Sequence, residues 1–431
     1  MRVLISSDFY PPFIGGGHAW AHLLARGLRR RGHEVAVLTE WHGGMDRVEV
    51  DEDWTVYRIR QLRTLPTSRI TDREQRHSPP FSDPISARDA AAAIDAFRPD
   101  VCISYGWITL SALGALKRRR IPVLLSAHDY GYFCPTRTLL NQGEPCSGPA
   151  PLKCLSCAGD FYGPTTGTGA VLGLLAARPR LANGVAGLHT VSSFVDEVTW
   201  GNLFGPKGPL HHVRRFIIPP FIEEPPPITP EQRVEYAPYL AQLPDEPFIM
   251  FAGALRAIKG VDVLLAAYRQ LREPRPPLVM MGHRYHDTPT DLPPGVRIIE
   301  SVPQRVVMAA LERAMLGAYP SVWPEPLGTV VIEASRSGVP AIGTQPSGIV
   351  DVLSDGRGIL VQRGSVEELR DAMQRLIDDP ALRAQISETG RQNVERFAAS
   401  HVVEQYERAL VEIVSDRVQR VPELATGRSP E

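Results

Sequence analysis

The sequence predicts two doubly wound α/β domains in tandem. Three observations carry this. Short apolar runs alternate with helical stretches from end to end, the rhythm of a parallel sheet covered by helices on both faces. The rhythm breaks once, at Pro219–Pro230 (PPFIEEPPPITP), where six of twelve residues are proline. At 431 residues the chain is too long for one ordinary core, given roughly 100–200 residues per domain.

The elements follow in order. Val3–Ser6 reads as a buried strand. Trp20, Leu23, Leu24 and Leu28 then repeat at helical spacing until Gly32, and Val35–Thr39 resumes as a strand. Val101–Ser104, Pro122–Ala127 and Leu188–Ser192 continue the sheet. The proline stretch suits neither regular structure and reads as a stiff connector. Beyond it, strands fit Phe248–Ala252, Leu278–Met281, Arg297–Ile299, Ala318–Tyr319 and Pro340–Gly343. Helices fit Val261–Leu271, Val306–Met315, Thr329–Ser337 and Val366–Ile377. The expected domains are 1–218 and 219–398, with a cleft between them, and a tail, 422–431, without ordered structure. Ligands of open parallel sheets bind beyond the carboxyl ends of the strands, so that cleft is the expected site.

Composition narrows the function. Hydrophobic residues are 43% and charged residues 22%, the balance of a folded globular chain. A net charge of −1 argues against a nucleic-acid binder, which carries a strongly basic face. The most apolar run, Ala170 to Ala177, is far short of the roughly 20 residues of a membrane span. Val3-Leu4-Ile5 is stopped by Ser6-Ser7-Asp8 and does not read as a signal peptide, so the expected compartment is the cytoplasm. Lysine occurs only at 117, 153, 207 and 259, which draws attention to each.

Four segments could carry chemistry. Tyr10 to Gly17 (YPPFIGGG) joins the first strand to the first helix; its glycines allow close backbone approach and the helix start favours an anion. The alternative is a plain turn. Gly253 to Gly260 (GALRAIKG) is placed the same way in the second domain, where Arg256 offers a fork to phosphate oxygens and Lys259 a point charge. The alternative is surface charge. In Glu325 to Glu333 (EPLGTVVIE), Glu325 sits in a loop and Pro326–Thr329 forms a helix start with free amides. Glu333 lies one turn further, four residues after Thr329. A carboxylate buried by Val330, Val331 and Ile332 needs partners, either ligand hydroxyls or an internal salt bridge. His128-Asp129 follows a strand directly and lies at the cleft edge.

Together these segments resemble the family 4 glycosyltransferases, most specifically across Pro320–Gly348 (PSVWPEPLGTVVIEASRSGVPAIGTQPSG), and the resemblance runs from Met1 to about Val414. It implies the GT-B fold, two Rossmann-like domains facing across a cleft, with a C-terminal helix over 399–414 crossing back to the first. The first domain would bind acceptor and the second the nucleotide sugar. It also implies residue roles. Gly15 and Gly16 approach the donor. Lys259 binds diphosphate. Glu325 contacts sugar hydroxyls. The amides of Leu327, Gly328 and Thr329 hold phosphate and sugar. Glu333 accepts from the ribose, and the base meets backbone near Val302. His128 helps to position the transferred sugar. The usual Gly-Arg at the start of the phosphate segment is Gly253-Ala254 here, with Arg256 as the substitute. Transfer with retention, from a UDP- or GDP-sugar to a small soluble acceptor, without a catalytic metal or other cofactor, is what the resemblance implies.

Cys134, Cys146, Cys154 and Cys157 fall in one segment, 132–160, with gaps of eleven, seven and two residues. They read as ligands of a structural zinc, as reduced thiols, or as disulfides. Lacking evident helix or strand pattern, Tyr132–Gly169 reads as a loop in need of a staple. Cys102 reads as a core residue. Two rivals differ in class. One is a transferase acting on a lipid-linked acceptor, with Arg26, Arg29, Arg30 and Arg31 and Lys117–Arg120 as a basic patch. The other is a non-catalytic sugar-nucleotide-binding protein. A dinucleotide oxidoreductase is excluded by the missing G-x-G-x-x-G. The sequence leaves the oligomeric state open.

Overall fold

In the computed structural model, residues 1–12, 16–62, 79–205, 213–222 and 228–426 are described. Two compact units result: 1–139, 146–218 and 402–431 form the first, and 140–145 with 219–401 the second.

The first unit holds eight strands. They are β1 (Arg2–Ser7), β2 (Glu34–Glu40), β3 (Val48–Asp51), β4 (Trp54–Ile59), β5 (Val101–Tyr105), β6 (Val123–Ala127), β9 (Gly187–Thr190) and β10 (Arg214–Ile217). β7 (Leu140–Asn141) and β8 (Glu144–Pro145) pair as a two-stranded ladder between them in the chain. The sheet order is β10-β9-β6-β5-β1-β2-β4-β3, parallel except at its β3 edge. β5 and β6 are buried at every residue, as expected of strands with helices on both faces.

The second unit has β11 (Phe248–Ala252), β12 (Leu278–Gly282), β13 (Val296–Glu300), β14 (Ala314–Tyr319), β15 (Ala341–Gln345) and β16 (Ile359–Gln362). Their order is β13-β12-β11-β14-β15-β16, all parallel. Both sheets are doubly wound, so each presents its loops beyond the carboxyl ends of its central strands.

Several expectations need correction. The helix expected over Val306–Met315 is Gln304–Leu311, and Ala314 and Met315 already belong to β14. Segment 132–169 is not an unstructured loop. It contains helices Pro151–Tyr162 and Pro164–Ala182, each with proline in its first turn, where the missing N–H costs nothing. Pro230 likewise opens a helix, Pro230–Leu240, behind a Thr229–Gln232 capping box. The last helix is Ala399–Thr426 rather than 399–414, so 422–426 is helical, and 427–431 lies outside the described residues. Beyond Val414, Arg417, Gln419 and Arg420 are good helix formers and no glycine stops the turn before Gly427.

Candidate active site

β11 and β14 are parallel neighbours, so the loops leaving their carboxyl ends lie side by side. The first carries Lys259, at the end of a 3-10 turn over Ala257–Lys259. The second carries Glu325. The Ile258 carbonyl joins them, accepting from Val322 N at 3.1 Å, Trp323 N at 3.0 Å and Ser321 Oγ at 3.1 Å. Gly260 adopts φ +75°, and a Cβ there would fall 1.8 Å from the Pro320 carbonyl oxygen. Only glycine lets the lysine turn press this closely on its neighbour.

Lys259 Nζ donates to both carboxylate oxygens of Glu325, at 3.0 Å to Oε2. It also lies 4.5 Å from the centre of the Trp323 ring, a cation–π contact. Glu325 is buried, and its backbone carbonyl accepts from Gly348 N at 2.7 Å. A buried carboxylate requires such a partner.

Gly328, at φ +80°, caps the helix Thr329–Arg336, and no side chain caps that N terminus. The turn therefore presents backbone donors and the positive end of a helix dipole. Leu327 is buried beneath it and Thr329 is exposed. Glu333 is half-buried one turn along and accepts from Gln304 Nε2 at 2.8 Å. Burial raises its pKa to about 7, against the opposing pull of Gln304 and Arg336. The Tyr319 hydroxyl, whose own pKa burial and then Glu333 push up, is buried without a hydrogen-bond partner among the described residues.

Arg256 does not join this group. Its Nε donates to Asp287 at 3.3 and 3.4 Å, and its guanidinium lies 5.0 Å from the Tyr285 ring centre. Val302 is half-buried in the loop between β13 and the helix Gln304–Leu311.

In the first unit, His128 follows β6 and is half-exposed. Its ring packs 4.6 Å from both Trp20 and Tyr105, centre to centre, and its Nε2 lies 2.8 Å from Ser126 Oγ. Burial, then His189, pushes its pKa well below the ordinary 6.5, so it is neutral. His128 and Asp129 do not act as a pair. Asp129 accepts from Arg137 Nη2 at 2.8 Å, Tyr105 Oη at 3.0 Å and Gly131 N at 2.8 Å. Gly16 begins the helix Gly16–Arg30, and Gly15 lies outside the described residues.

The four clustered cysteines are free thiols, as is Cys102. Cys154 and Cys157 lie one turn apart on one helix. Burial raises both pKa values, and the charges of Cys134 and Cys146 add to it in each case. Thr136 Oγ1 lies 3.4 Å from Cys134 Sγ and also hydrogen-bonds Cys157. Cys146 Sγ is 3.5 Å from the Gly148 carbonyl oxygen. Among the described residues, no three His, Cys, Asp or Glu side chains are already set around a metal position. Two cavities of the first unit, about 450 Å³ beside Lys117 and Arg180 and about 180 Å³ beside Phe133 and Cys154, lie away from His128.

Sequence reasoning missed Trp323, Gln304 and Asp287, which partner Lys259, Glu333 and Arg256. Trp323 stands inside the motif that names Glu325 and was open to notice. Gln304 and Asp287 reach the site through separate loops.

Each unit is a parallel sheet, and the second carries a cation, two carboxylates and a helix start without a side-chain cap on its strand-end loops. The sequence matches the glycosyl transferases group 1 model over residues 237–393 and the glycosyltransferase family 4 model over 14–145. The chain belongs to the family 4 glycosyltransferases. It is 28% identical over 183 residues to D-inositol 3-phosphate glycosyltransferase of Corynebacterium aurimucosum, covering 39% of this chain and 43% of that one. It is 29% identical over 182 residues to a GDP-mannose-dependent monoacylated alpha-(1-6)-phosphatidylinositol monomannoside mannosyltransferase of Corynebacterium glutamicum, covering 39% and 48%. The match thus spans less than half the length of either relative. The structure of sucrose-phosphate synthase from Thermosynechococcus elongatus superposes with a TM-score of 0.67 over 96% of this chain and 99% of its own, at 18% identity. The fold is GT-B.

Glu333 gives a pH prediction. Its folded pKa of about 7 lies above the unfolded value near 4.3. The native state therefore holds the extra proton between these values, and its contribution to stability is lost as pH rises through 7. Urea unfolding should show a decline of up to about 3 kcal/mol between pH 4.5 and 8 from this group. The Glu333→Gln variant should lack that part of the decline; an identical profile would refute the assignment.

Proposed function

We propose that this chain is a retaining glycosyltransferase that moves a sugar from a UDP- or GDP-sugar to a small soluble acceptor without a catalytic metal. The observation that carries the reading is the Lys259–Glu325 pair beside the uncapped helix start at Gly328, inside the matched family segment. Cleavage at the anomeric carbon puts negative charge on the departing diphosphate. Lysine and backbone donors already in place lower that barrier without reorganising. Glu325, oriented by Lys259, accepts from donor-sugar hydroxyls. Glu333 accepts from the ribose, and the amides of Leu327, Gly328 and Thr329 meet phosphate and sugar. Val302 supplies backbone to the base, and Gly15 and Gly16 approach the donor. Arg256 enters only by leaving Asp287. Neutral His128 orients the transferred sugar.

The soluble acceptor is supported at the first helix and the turn after it, where Arg26, Arg29 and Arg31 pair with Glu52, Asp53 and Glu407 instead of standing bare toward anionic lipid. No described helix is long and apolar enough to cross a membrane. We place the reaction in the cytoplasm.

A thermal-shift screen of UDP- and GDP-sugars identifies the donor, since ligand at 100 times its Kd stabilises by roughly 2.7 kcal/mol. Lys259→Ala and Glu333→Ala should each weaken donor binding by about 1.5–3 kcal/mol, the worth of a charge-assisted hydrogen bond. Wild-type affinity in both, by calorimetry, would sink the site.

The first-formed product should keep the donor's anomeric configuration by proton NMR, and turnover should survive EDTA. Inversion contradicts the retaining reading; activity restored only by magnesium or manganese contradicts the metal-free one.

We also propose that Cys134, Cys146, Cys154 and Cys157 hold a structural zinc. Thiolates are its natural ligands, and the four thiols share one segment and feel one another's charge, although the described side chains are not grouped around a metal position. Protein purified without added metal should carry close to one equivalent by elemental analysis, and Cys154→Ser/Cys157→Ser should lose it. Less than a tenth of an equivalent in the parent protein rejects the metal.

A further inference from the structure

Behind His128 lies a closed polar chain that the proposed reaction does not yet use. β6 and β9 are parallel neighbours in a register that sets Ser126 opposite His189. Ser126 Oγ lies 2.6 Å from His189 Nδ1 and 2.8 Å from His128 Nε2. His189 Nε2 lies 2.8 Å from the Ile218 carbonyl oxygen. Tyr406 Oη stands 3.2 Å from His189 Nε2 and 3.4 Å from Nδ1, hydrogen-bonds Ser126, and accepts from Trp20 Nε1 at 3.0 Å. Ser126 and His189 are fully buried, as is Tyr406.

The direction of every bond follows from one group. A carbonyl oxygen only accepts, so His189 Nε2 must carry the hydrogen. Burial lowers the His189 pKa to about 4, so the ring is neutral and its Nδ1 is a bare acceptor. The Ser126 hydroxyl has one hydrogen and gives it to that Nδ1. Ser126 Oγ can then only accept from His128, so the His128 hydrogen sits on Nε2. Tyr406 donates to the second lone pair of Ser126 and receives from Trp20. Each hydrogen is placed once.

We propose that Ser126 and His189 are positioning residues that lock His128 as the Nε2–H tautomer, so that Nδ1 accepts a hydrogen bond from a hydroxyl of the bound sugar and His128 gives it no proton. The assignment of the sugar rests on the glycosyl-transfer reading; the lock itself does not. Trp20 and Tyr105 hold the ring plane by packing on it. The lock then fixes which nitrogen bears the lone pair.

The experiment is ring-nitrogen NMR on the full chain, with the His128 signals assigned by their loss in His128→Asn, alongside steady-state kinetics. The native protein should show His128 protonated on Nε2 alone, with Nδ1 unprotonated. Protonation on Nδ1 overturns the proposal, and this measurement needs no variant to fold. Ser126→Ala should release the ring into a tautomer mixture. It should lower kcat about tenfold or more, as loss of a histidine's orienting partner does, while donor KM stays within about twofold. Ser126→Thr, which keeps the hydroxyl, should restore both tautomer and kcat. Tyr406→Phe should leave the tautomer unchanged, because the carbonyl anchor remains. A Ser126→Ala protein with native tautomer, or with released tautomer and native kcat, refutes the positioning role. Failure of every sugar nucleotide to turn over refutes the glycosyl-transfer reading instead, and the ring spectrum still decides the lock.

Discussion

Lys259 and Glu325 meet because two parallel strands are neighbours. The chain between them runs through two further strands, yet β11 and β14 lie edge to edge, and each delivers one partner at its carboxyl end. Much else in the second unit answers to that contact. Gly260 must lack a side chain so that its turn can rest on Pro320. The Ile258 carbonyl ties down Ser321, Val322 and Trp323, and Gly348 holds the backbone of Glu325. A lysine on a flexible stem is costly to order. Here the ordering cost is met by a carboxylate, an indole face and a braced loop together.

The same unit shows how environment gives two glutamates different jobs. Glu325 has a cation against it, and its carboxylate accepts from Lys259 Nζ. Glu333, eight residues on, is faced by the Gln304 amide and the charge of Arg336, but burial outweighs both, so its carboxyl holds a proton near neutral pH. A ligand offering two hydroxyls would supply the missing donors and favour the ionised form. Ligand binding at Glu333 and proton release would therefore be coupled.

Legibility in the sequence followed the strength of the physical signal. The central strands were readable because burial on both faces makes them continuous apolar runs; Phe248–Ala252 matches its strand end to end. Val48–Asp51 and Trp54–Ile59 were not read as strands, since this edge pair turns without glycine or proline, through Glu52 at φ +51°. Ala314 and Met315 extend the helical apolar pattern without a breaker, so the helix end was invisible. Segment 132–169 reads as a loop in the sequence, yet its Pro151 and Pro164 stand where helices accept proline. At the site, Glu325 and Glu333 were legible because one segment carries both, and Lys259 because a scarce lysine follows a strand end in Gly253–Gly260. Ser126 and His189 were not, because strand register alone brings them together.

That register has a consequence for how the chemistry divides. An imidazole at a strand end is commonly read as an acid or a base, yet His128 is neutral and its one hydrogen points inward at Ser126. Its reach toward a ligand is that of an acceptor, which can orient a hydroxyl but cannot protonate a leaving oxygen. A departing diphosphate needs little protonation when cations and amides already face it. The charge-bearing groups, Lys259 and the Gly328 helix start, all belong to the second unit, and the buried relay that removes proton chemistry from His128 belongs to the first. In the proposed reaction electrostatic stabilisation and neutral orientation fall to different sheets, and each sheet buries, through its own strand order, the partners that its task requires.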